Sequence, residues 1–244
     1  MSTSWEPVRQ PRTHELVLER IEEQVMAGDL HAGERLPGER QLAAALGVSR
    51  SAVREALRIM EAFGLLTAHT GRGPDSGAVV TTDPTEAVGR MLRLHLALGG
   101  YQLSDILEAR VMLERASVAD ASLEPQNPRI DAAAQLVTAM DNPELTPFEF
   151  NELDTQFHVE LASCSGNELI RTLTAAVRES IRPLVLNGFQ HVPDWRETAT
   201  TLQSQHRNIL HLIRDRQPER AAQAIDDHIR SFHGKLATAG QATS

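Results

Sequence analysis

Apolar residues recur at three- and four-residue steps along most of the chain, the spacing of helices that bury one face. The first such stretch, THELVLERIEEQVMAGDL, predicts a helix with Leu16, Ile21 and Val25 on its buried stripe. Gly28 follows the last apolar residue of this stripe, where a helix ends easily because glycine tolerates a left-handed conformation.

The next stretch predicts two helices joined by a tight turn. A short helix ends at Gly47, and Ser49 is well placed to cap the helix that follows. Two helices joined by LGVS, with a glycine in the turn, are typical of a helix-turn-helix. Arg50 and Arg54 lie one turn apart on the face of the second helix opposite its apolar residues, a position suited to DNA although ordinary surface arginines would share it. The segment GLLTAHTGRGPDSGAVVTT then predicts two strands around a glycine-rich turn, which is the form of a wing.

The rest of the chain predicts helices alone. Asp83, Pro84 and Glu86 form a helix-start signal, and about seven helical segments with short breaks follow, which favours a bundle. The predicted fold class is therefore mostly α: an N-terminal winged helix-turn-helix with a small β wing, then an all-α helical bundle. We place the winged helix at residues 1–80, a linker at 81–86, the bundle at 87–238 and a disordered tail at 239–244.

Polar side chains interrupt the apolar stripes of three predicted bundle helices. Asp154 and His158 lie within FNELDTQFHVELAS, one turn apart, whereas His206 and His228 each fill a gap in a stripe of Leu, Ile or Phe. A single histidine on an apolar face is usually a core residue, but four potential ligands on converging faces indicate a metal site. Side chains at positions i and i+4 can share one ion, and imidazole with carboxylate suits zinc first, with nickel, manganese, iron and cobalt as other candidates.

An arginine also lies on an apolar stripe. Arg110 follows Leu103, Ile106 and Leu107 at helical spacing, which predicts a charge directed into the core. A buried salt bridge with Glu114 or Asp154 would be the structural explanation. The arginines of a later helix lie off its apolar stripe and are predicted to be solvated: Arg171, Arg178 and Arg182.

Composition and charge narrow the class of protein. The net charge of −9 argues against nucleic acid, but residues 31–73 contain six Arg and four Glu and are locally positive. No apolar run approaches the roughly 20 residues that a membrane span needs. The N-terminus lacks the apolar core of a signal peptide, and the single cysteine, Cys164, excludes an internal disulfide, so we expect a cytoplasmic protein with no membrane partner.

The run ERLPGERQLAAALGVSRSAVREALRIMEAFGLL, followed by GRG, closely resembles the GntR family of bacterial winged-helix regulators. The resemblance covers residues 12–80 and implies binding to double-stranded DNA at a palindromic operator. Three arginines match the arginines that the family places in the major groove, and the wing departs from the shorter form by the extra length of GPDSGAVV. The DNA-binding residues that the resemblance implies are Arg40, Ser49, Arg50, Ser51, Arg54, His69, Gly71, Arg72 and Gly73.

The helical half resembles the FCD ligand-binding domain of the FadR branch of that family. The matching pieces are ILEARVMLE, ELDTQFHVELASCSGN, SQHRNIL and AAQAIDDHI. In metal-binding members an aspartate, a histidine four residues later and two further histidines hold the ion, and the matching positions are Asp154, His158, His206 and His228. The resemblance also places Arg110 beside the metal, where it would meet the carboxylate of an organic-acid effector.

The sequence thus predicts a homodimeric transcriptional regulator, expected to be a repressor, whose operator affinity responds to a small organic acid bound at a divalent metal. The sequence also allows two alternatives. An ion with open coordination positions could serve a metal-dependent enzyme acting on small carboxylates. The ion could instead be purely structural in a DNA-binding protein.

Overall fold

The structure is a computed structural model that describes residues 11–69, 77–191 and 194–241, with the backbone alone at 68, 69, 77 and 235–241. Its chain divides into two compact units, Met1–Ala87 and Val88–Ser244. The class predicted from the sequence is confirmed: a small helical unit with a two-stranded sheet precedes a unit built from helices.

The first unit is a helix-turn-helix with a sheet. Its helices are α1 (Thr13–Ala27), α2 (Glu39–Leu46) and α3 (Arg50–Ala62). Gly47 has φ 67° and ends α2, and the Ser49 side chain accepts a hydrogen bond from the backbone N–H of Ala52, as the N-cap of α3. Both predicted turn residues therefore do what their chemistry indicates.

Strands β1 (Leu66–His69) and β2 (Gly77–Val80) pair antiparallel, with Leu66 opposite Val80. Residues between α1 and α2 extend this sheet, because the Leu36 N–H donates to the carbonyl of Ala78 at 2.9 Å. The unit therefore has the architecture of a winged helix.

The buried face of α1 differs from the prediction. Val17 and Ile21 are buried, whereas Leu16 and Val25 are 47% and 42% exposed. The sequence holds apolar residues on two neighbouring faces of α1, and only packing in the first unit's core selects between them. Spacing alone could not make that choice.

Seven more helices follow among the residues that the structure describes, and the first of them begins three residues before the second unit. They are α4 (Thr85–Ala97), α5 (Leu103–Leu123), α6 (Pro128–Ala139), α7 (Pro147–Ser163), α8 (Glu168–His191), α9 (Trp195–Arg214) and α10 (Pro218–Gln241). Helix α4 begins within the predicted linker, and α10 extends three residues past the predicted end of the bundle. Phe150, Phe157, Ile209 and Ile225 lie in one apolar core that draws on these helices. Within the described ranges no helix is both long and apolar enough to cross a bilayer.

Candidate metal centre and DNA-binding surface

The N-terminal end of α3 presents an exposed, positively charged surface. Arg40, Arg50 and Arg54 are exposed, as are Ser49 and Ser51. The two serine hydroxyls lie 2.9 Å apart. A helix N-terminus with exposed hydroxyl and guanidinium groups suits phosphate oxygens and base edges, and Arg40 is exposed on the preceding helix.

One acidic residue lies within this area. The Glu39 carboxylate accepts three hydrogen bonds from Arg54: from Nε to Oε1 at 3.2 Å and to Oε2 at 3.3 Å, and from Nη2 to Oε2 at 3.1 Å. Arg50 approaches the same carboxylate at 3.8 Å. The hydrogen bonds from Arg54 hold the pKa of Glu39 below its ordinary value, against the opposing effect of partial burial. Glu39 therefore positions the arginines of α3 before any DNA is bound.

The predicted wing contacts are only partly placed. His69 ends strand β1, and its backbone alone is described. Gly71, Arg72 and Gly73 lie outside the described residues.

Three helices of the second unit bring four potential metal ligands together. Asp154 and His158 come from α7, His206 from α9 and His228 from α10, and one ligand atom of each lies within 4.8 Å of the others. All four side chains are buried, and His206 is fully so. The imidazole rings of His206 and His228 have centroids 4.7 Å apart. The four residues predicted from the interrupted apolar stripes therefore lie on helix faces that converge in the structure.

Neighbouring side chains orient two of these imidazoles. His228 Nδ1 lies 2.9 Å from Gln205 Oε1, so this nitrogen carries the proton and donates it, leaving Nε2 with its lone pair. His158 Nδ1 lies 2.5 Å from Glu114 Oε2, a close contact whose angles are not those of a hydrogen bond. A carboxylate or amide behind a ligating histidine is the usual arrangement around protein-bound metals.

The cluster fits a divalent transition ion. His158 Nε2 and both ring nitrogens of His206 are buried and have no hydrogen-bond partner among the described residues. His206 Nε2 does lie 3.1 Å from Asp154 Oδ1, but this contact also lacks hydrogen-bonding geometry. Buried polar atoms in proteins are nearly always paired. Imidazole nitrogens without a hydrogen-bond partner, beside a carboxylate, are the ligand atoms that such an ion prefers.

Two buried arginines adjoin the cluster. Arg110 donates from Nε to Glu114 Oε1 at 2.6 Å and lies 3.0 Å from His233 Nε2. Arg178 donates to Glu114 Oε1 at 3.2 Å and to Asp154 Oδ2. Arg110 therefore makes the salt bridge with Glu114 that the sequence offered as its structural explanation.

The prediction of a solvated Arg178 was wrong. Arg178 is 5% exposed and contacts two buried carboxylates. It follows Thr174 by four residues and precedes Ile181 by three, and both of those side chains are buried. The helical spacing that placed Arg110 inward therefore also held the signal for Arg178.

The buried groups shift one another's ionisation. Burial would raise the pKa of Asp154, but the charge of Arg178 and contacts with His158 and His206 hold it well below its usual range. Glu114 is likewise held well below its usual pKa, because Arg110, His158 and Arg178 outweigh its burial. Burial lowers the pKa of His206, of His228 and of His233, the last to about 3. The carboxylates are thus ionised and these three imidazoles neutral near pH 7.

A small cavity adjoins the cluster. Its volume of about 10 Å³ accommodates roughly one water molecule. Its polar wall carries Arg110, Asn151, Asp154, Thr155, Arg178 and His228. Its apolar wall carries Ile181, Val185, Phe189, Leu202 and Phe232.

Several of these functional candidates were missed by sequence reasoning. Glu114 was considered only as a partner of Arg110, although it sits one turn further along α5 on the same face. Gln205 and Glu39 gave no signal, because glutamine and glutamate on helices are ordinarily solvated. His233 also gave no signal, and the structure buries it against Arg110.

A winged helix with exposed arginines on its second helix, joined in one chain to a bundle with a buried His and Asp cluster, defines a DNA-binding transcriptional regulator. Comparison with known families agrees. Residues 13–74 match the bacterial regulatory proteins of the gntR family, and residues 105–231 match the FCD domain. The chain belongs to the GntR family of regulators and carries an FCD domain.

Two relatives are similar along most of their length. The Glc operon transcriptional activator of Escherichia coli K12 is 29% identical over 231 residues, covering 91% of this chain and 88% of the relative. The HTH-type transcriptional repressor NanR of the same strain is 26% identical over 242 residues, covering 98% and 89%. Both are regulators of transcription, which supports a regulator over the enzyme alternative.

Two solved structures share the fold. Streptococcus agalactiae GntR aligns with a TM-score of 0.61 at 23% identity, covering 89% of this chain and 98% of that one. E. coli McbR/YncC aligns with a TM-score of 0.50 at 18% identity, covering 96% and 100%.

Proposed function

We propose that this DNA-binding regulator senses a small organic acid through a divalent metal ion held in its FCD domain. The observation that carries the proposal is the buried cluster of Asp154, His158, His206 and His228, with ligand atoms within 4.8 Å of one another. Imidazole nitrogens without other partners inside a core are costly unless an ion uses them.

The ion would be held by these four side chains, and zinc is the first candidate. When bound, it would supply a Lewis-acidic centre with coordination positions left for an oxygen ligand. The protein's own residues do the rest. Gln205 and Glu114 orient two imidazoles, and the closely packed surroundings of the cluster exclude bulk water.

The effector's carboxylate would also be held by Arg110, which lines the cavity. A guanidinium can meet a carboxylate with two parallel hydrogen bonds, which an ion alone does not supply. Since Glu114 and His233 already contact Arg110, effector binding would redistribute the hydrogen bonds of this buried network.

DNA would be bound by a homodimer at a palindromic operator. One recognition helix spans only a half-site, and two-fold protein symmetry maps onto pseudo-palindromic DNA. Arg40, Arg50 and Arg54 would contact the major groove, with Ser49 and Ser51 near phosphate. A change of operator affinity by tenfold requires the effector to favour one arrangement by about 1.4 kcal/mol. Repression stays a prediction, because the similar proteins include one named an activator and one named a repressor.

The test combines metal content with DNA binding. Elemental analysis of the purified full chain should find about one divalent ion per protomer, and replacing all four ligands with alanine should abolish it. Organic acids added to the metal-loaded protein should raise its melting temperature and change its affinity for an operator recovered by in vitro selection. Bound metal with no response to any acid would favour the purely structural ion.

The role of Arg110 has its own test. Arg110→Lys keeps the charge beside Glu114 but loses the two-pronged geometry, so it should retain metal and operator binding while its response to the acid weakens. Arg115→Lys is the matched control, because Arg115 lies on the same helix and pairs with Asp226 at a half-exposed site. An unchanged acid response in Arg110→Lys would limit this residue to the salt bridge with Glu114.

A further inference from the structure

The charged groups around the cavity balance one another. Arg110 and Arg178 are buried beside Glu114 and Asp154, and each arginine contacts at least one of the two carboxylates. Arg182, one turn further along α8 than Arg178, pairs with Glu152 of α7 nearer the surface, so these two residues add no net charge. The buried cluster is therefore neutral when its histidines are neutral.

A bound divalent ion would change that balance. Imidazole binds a metal in its neutral form, so the three histidine ligands contribute no compensating charge. The ion would leave the buried cluster with an excess of two positive charges. An uncompensated charge in a core is costly, and excess charge is normally offset by a counter-ion or ligand.

Arg178 is placed to hold such a ligand without giving up its hydrogen bonds to Glu114 and Asp154. Asp154 Oδ1 faces His206 at 3.1 Å and His158 at 3.7 Å, whereas Oδ2 accepts from Arg178. The oxygen nearest the imidazoles is thus not the oxygen that Arg178 uses. Arg178 lines the cavity, and its Nε is buried without a hydrogen-bond partner among the described residues.

We infer that the effector is a small dicarboxylate, with one carboxylate on the ion and the second on Arg178 beside Arg110. This inference rests on the proposed function and narrows its ligand class. Two carboxylates match the excess charge that the ion would bring, and an unpaired Nε offers a donor to the second of them. Because this cavity accommodates roughly one water molecule, the surrounding helices would have to move apart to admit the acid, which favours a compact acid over a bulky one.

The test compares each diacid with its own half-amide, which keeps the skeleton and one carboxylate but loses one charge. Malonate, succinate and glutarate are titrated calorimetrically into the zinc-loaded full chain, beside malonamate, succinamate and glutaramate. At least one diacid should bind about 30-fold more tightly than its half-amide, the size expected for charge-assisted hydrogen bonds. Zinc content measured after each titration separates binding from removal of the ion.

Arg178→Gln should reduce that ratio to about fivefold or less, because the second carboxylate loses its guanidinium. Arg182→Gln is the matched control: it lies one turn further along α8, pairs with Glu152 at 2.5 Å, and should keep the full ratio. If Arg178→Gln does not fold, Arg178→Lys preserves the charge but not the fork, and its ratio should also fall.

The outcomes are distinguishable. Equal binding of a diacid and its half-amide by zinc-loaded protein overturns the dicarboxylate inference and leaves the proposed function standing. A ratio that is high but unchanged in both Arg178 variants overturns the role of Arg178. Zinc binding with no response to any organic acid, or removal of zinc by the diacids alone, overturns the inference and the effector part of the proposed function together.

Discussion

The carboxylate of Glu39, at the start of α2, holds the guanidinium of Arg54 on α3 through three hydrogen bonds of 3.1 to 3.3 Å. An acid therefore sits among the arginines predicted to meet DNA. Glu39→Gln should raise affinity for random DNA several-fold, because one negative charge near the phosphates is removed, and should narrow the gap between operator and random DNA. Fluorescence anisotropy at several salt concentrations measures both.

The control for this prediction is Glu55→Gln. Glu55 is an exposed residue of α3 next to Arg54, and its replacement removes the same charge. Equal effects of the two variants would mean that net charge, and not the contact with Arg54, sets the discrimination.

The arginines of α3 should differ from ordinary surface arginines in sequence discrimination. Arg50→Ala and Arg54→Ala should each weaken operator binding about tenfold or more, and relax base preference at the positions they read. Binding-site selection with each variant gives the preference directly. If both variants lose operator and random DNA equally, the two residues contact phosphate alone.

Gln205 should set metal affinity without touching the ion. Gln205→Leu removes the acceptor at His228 Nδ1, so zinc affinity should fall at least about tenfold, measured by competition with a chromophoric chelator. Gln223→Leu makes the same change at an exposed position of α10 and should leave affinity unchanged. Unaltered zinc affinity in Gln205→Leu would remove the orienting role.

Glu114 should matter more for stability than an acid paired at the surface of the same helix. Glu114→Gln leaves Arg110 and Arg178 without their shared carboxylate and should cost about 3 kcal/mol of unfolding free energy. Glu108→Gln breaks an exposed pair with Arg230 and should change little. Urea unfolding of metal-free protein, followed by circular dichroism, compares them, and similar losses in both would show that the buried network is not stabilising.

Metal-free protein should lose stability as the pH falls from 7.5 to 5.5. The folded-state pKa values of His206, His228 and His233 lie below the unfolded value of about 6.5, so protons bind the unfolded chain preferentially once the pH drops through 6.5. For His233, with a folded pKa of about 3, the loss over this range is about 1.4 kcal/mol. His233→Gln, which retains an acceptor for Arg110, should reduce the pH dependence by that amount in urea titrations at the two pH values. An identical dependence in the variant would contradict a neutral His233.

The sequence predicted the location of polar residues on apolar stripes more reliably than that of residues whose type is ordinary for their position. Asp154, His158, His206 and His228 were found because polar groups on an apolar stripe require a reason to be there, and the structure brings them together. Arg178 is also a polar residue on a buried face, but it was predicted to lie on the solvated face of α8.

Partners that act through hydrogen bonds between distant segments could not be predicted in this way. Gln205 reaches His228 from a different helix, and Glu39 reaches Arg54 across the turn between α2 and α3. Their side chains are ordinary on a helix surface, and only the packing angles between helices determine what they contact. The buried face of α1 was missed for the same reason, since Val17 and Leu16 are equally apolar.

Because the cavity has one polar wall and one apolar wall, its ligand specificity can be altered, by evolution or by protein engineering, through the apolar wall alone. Val185, Phe189, Leu202 and Phe232 are four of the five residues of the apolar wall, and none of them carries a charge. Exchanging these four for larger or smaller apolar residues would reshape the space for a ligand while leaving the charge balance intact. A library of variants at these four positions is therefore the natural starting point for a biosensor with a new response. Substitution of a charged residue of the cluster would instead require a second, compensating substitution.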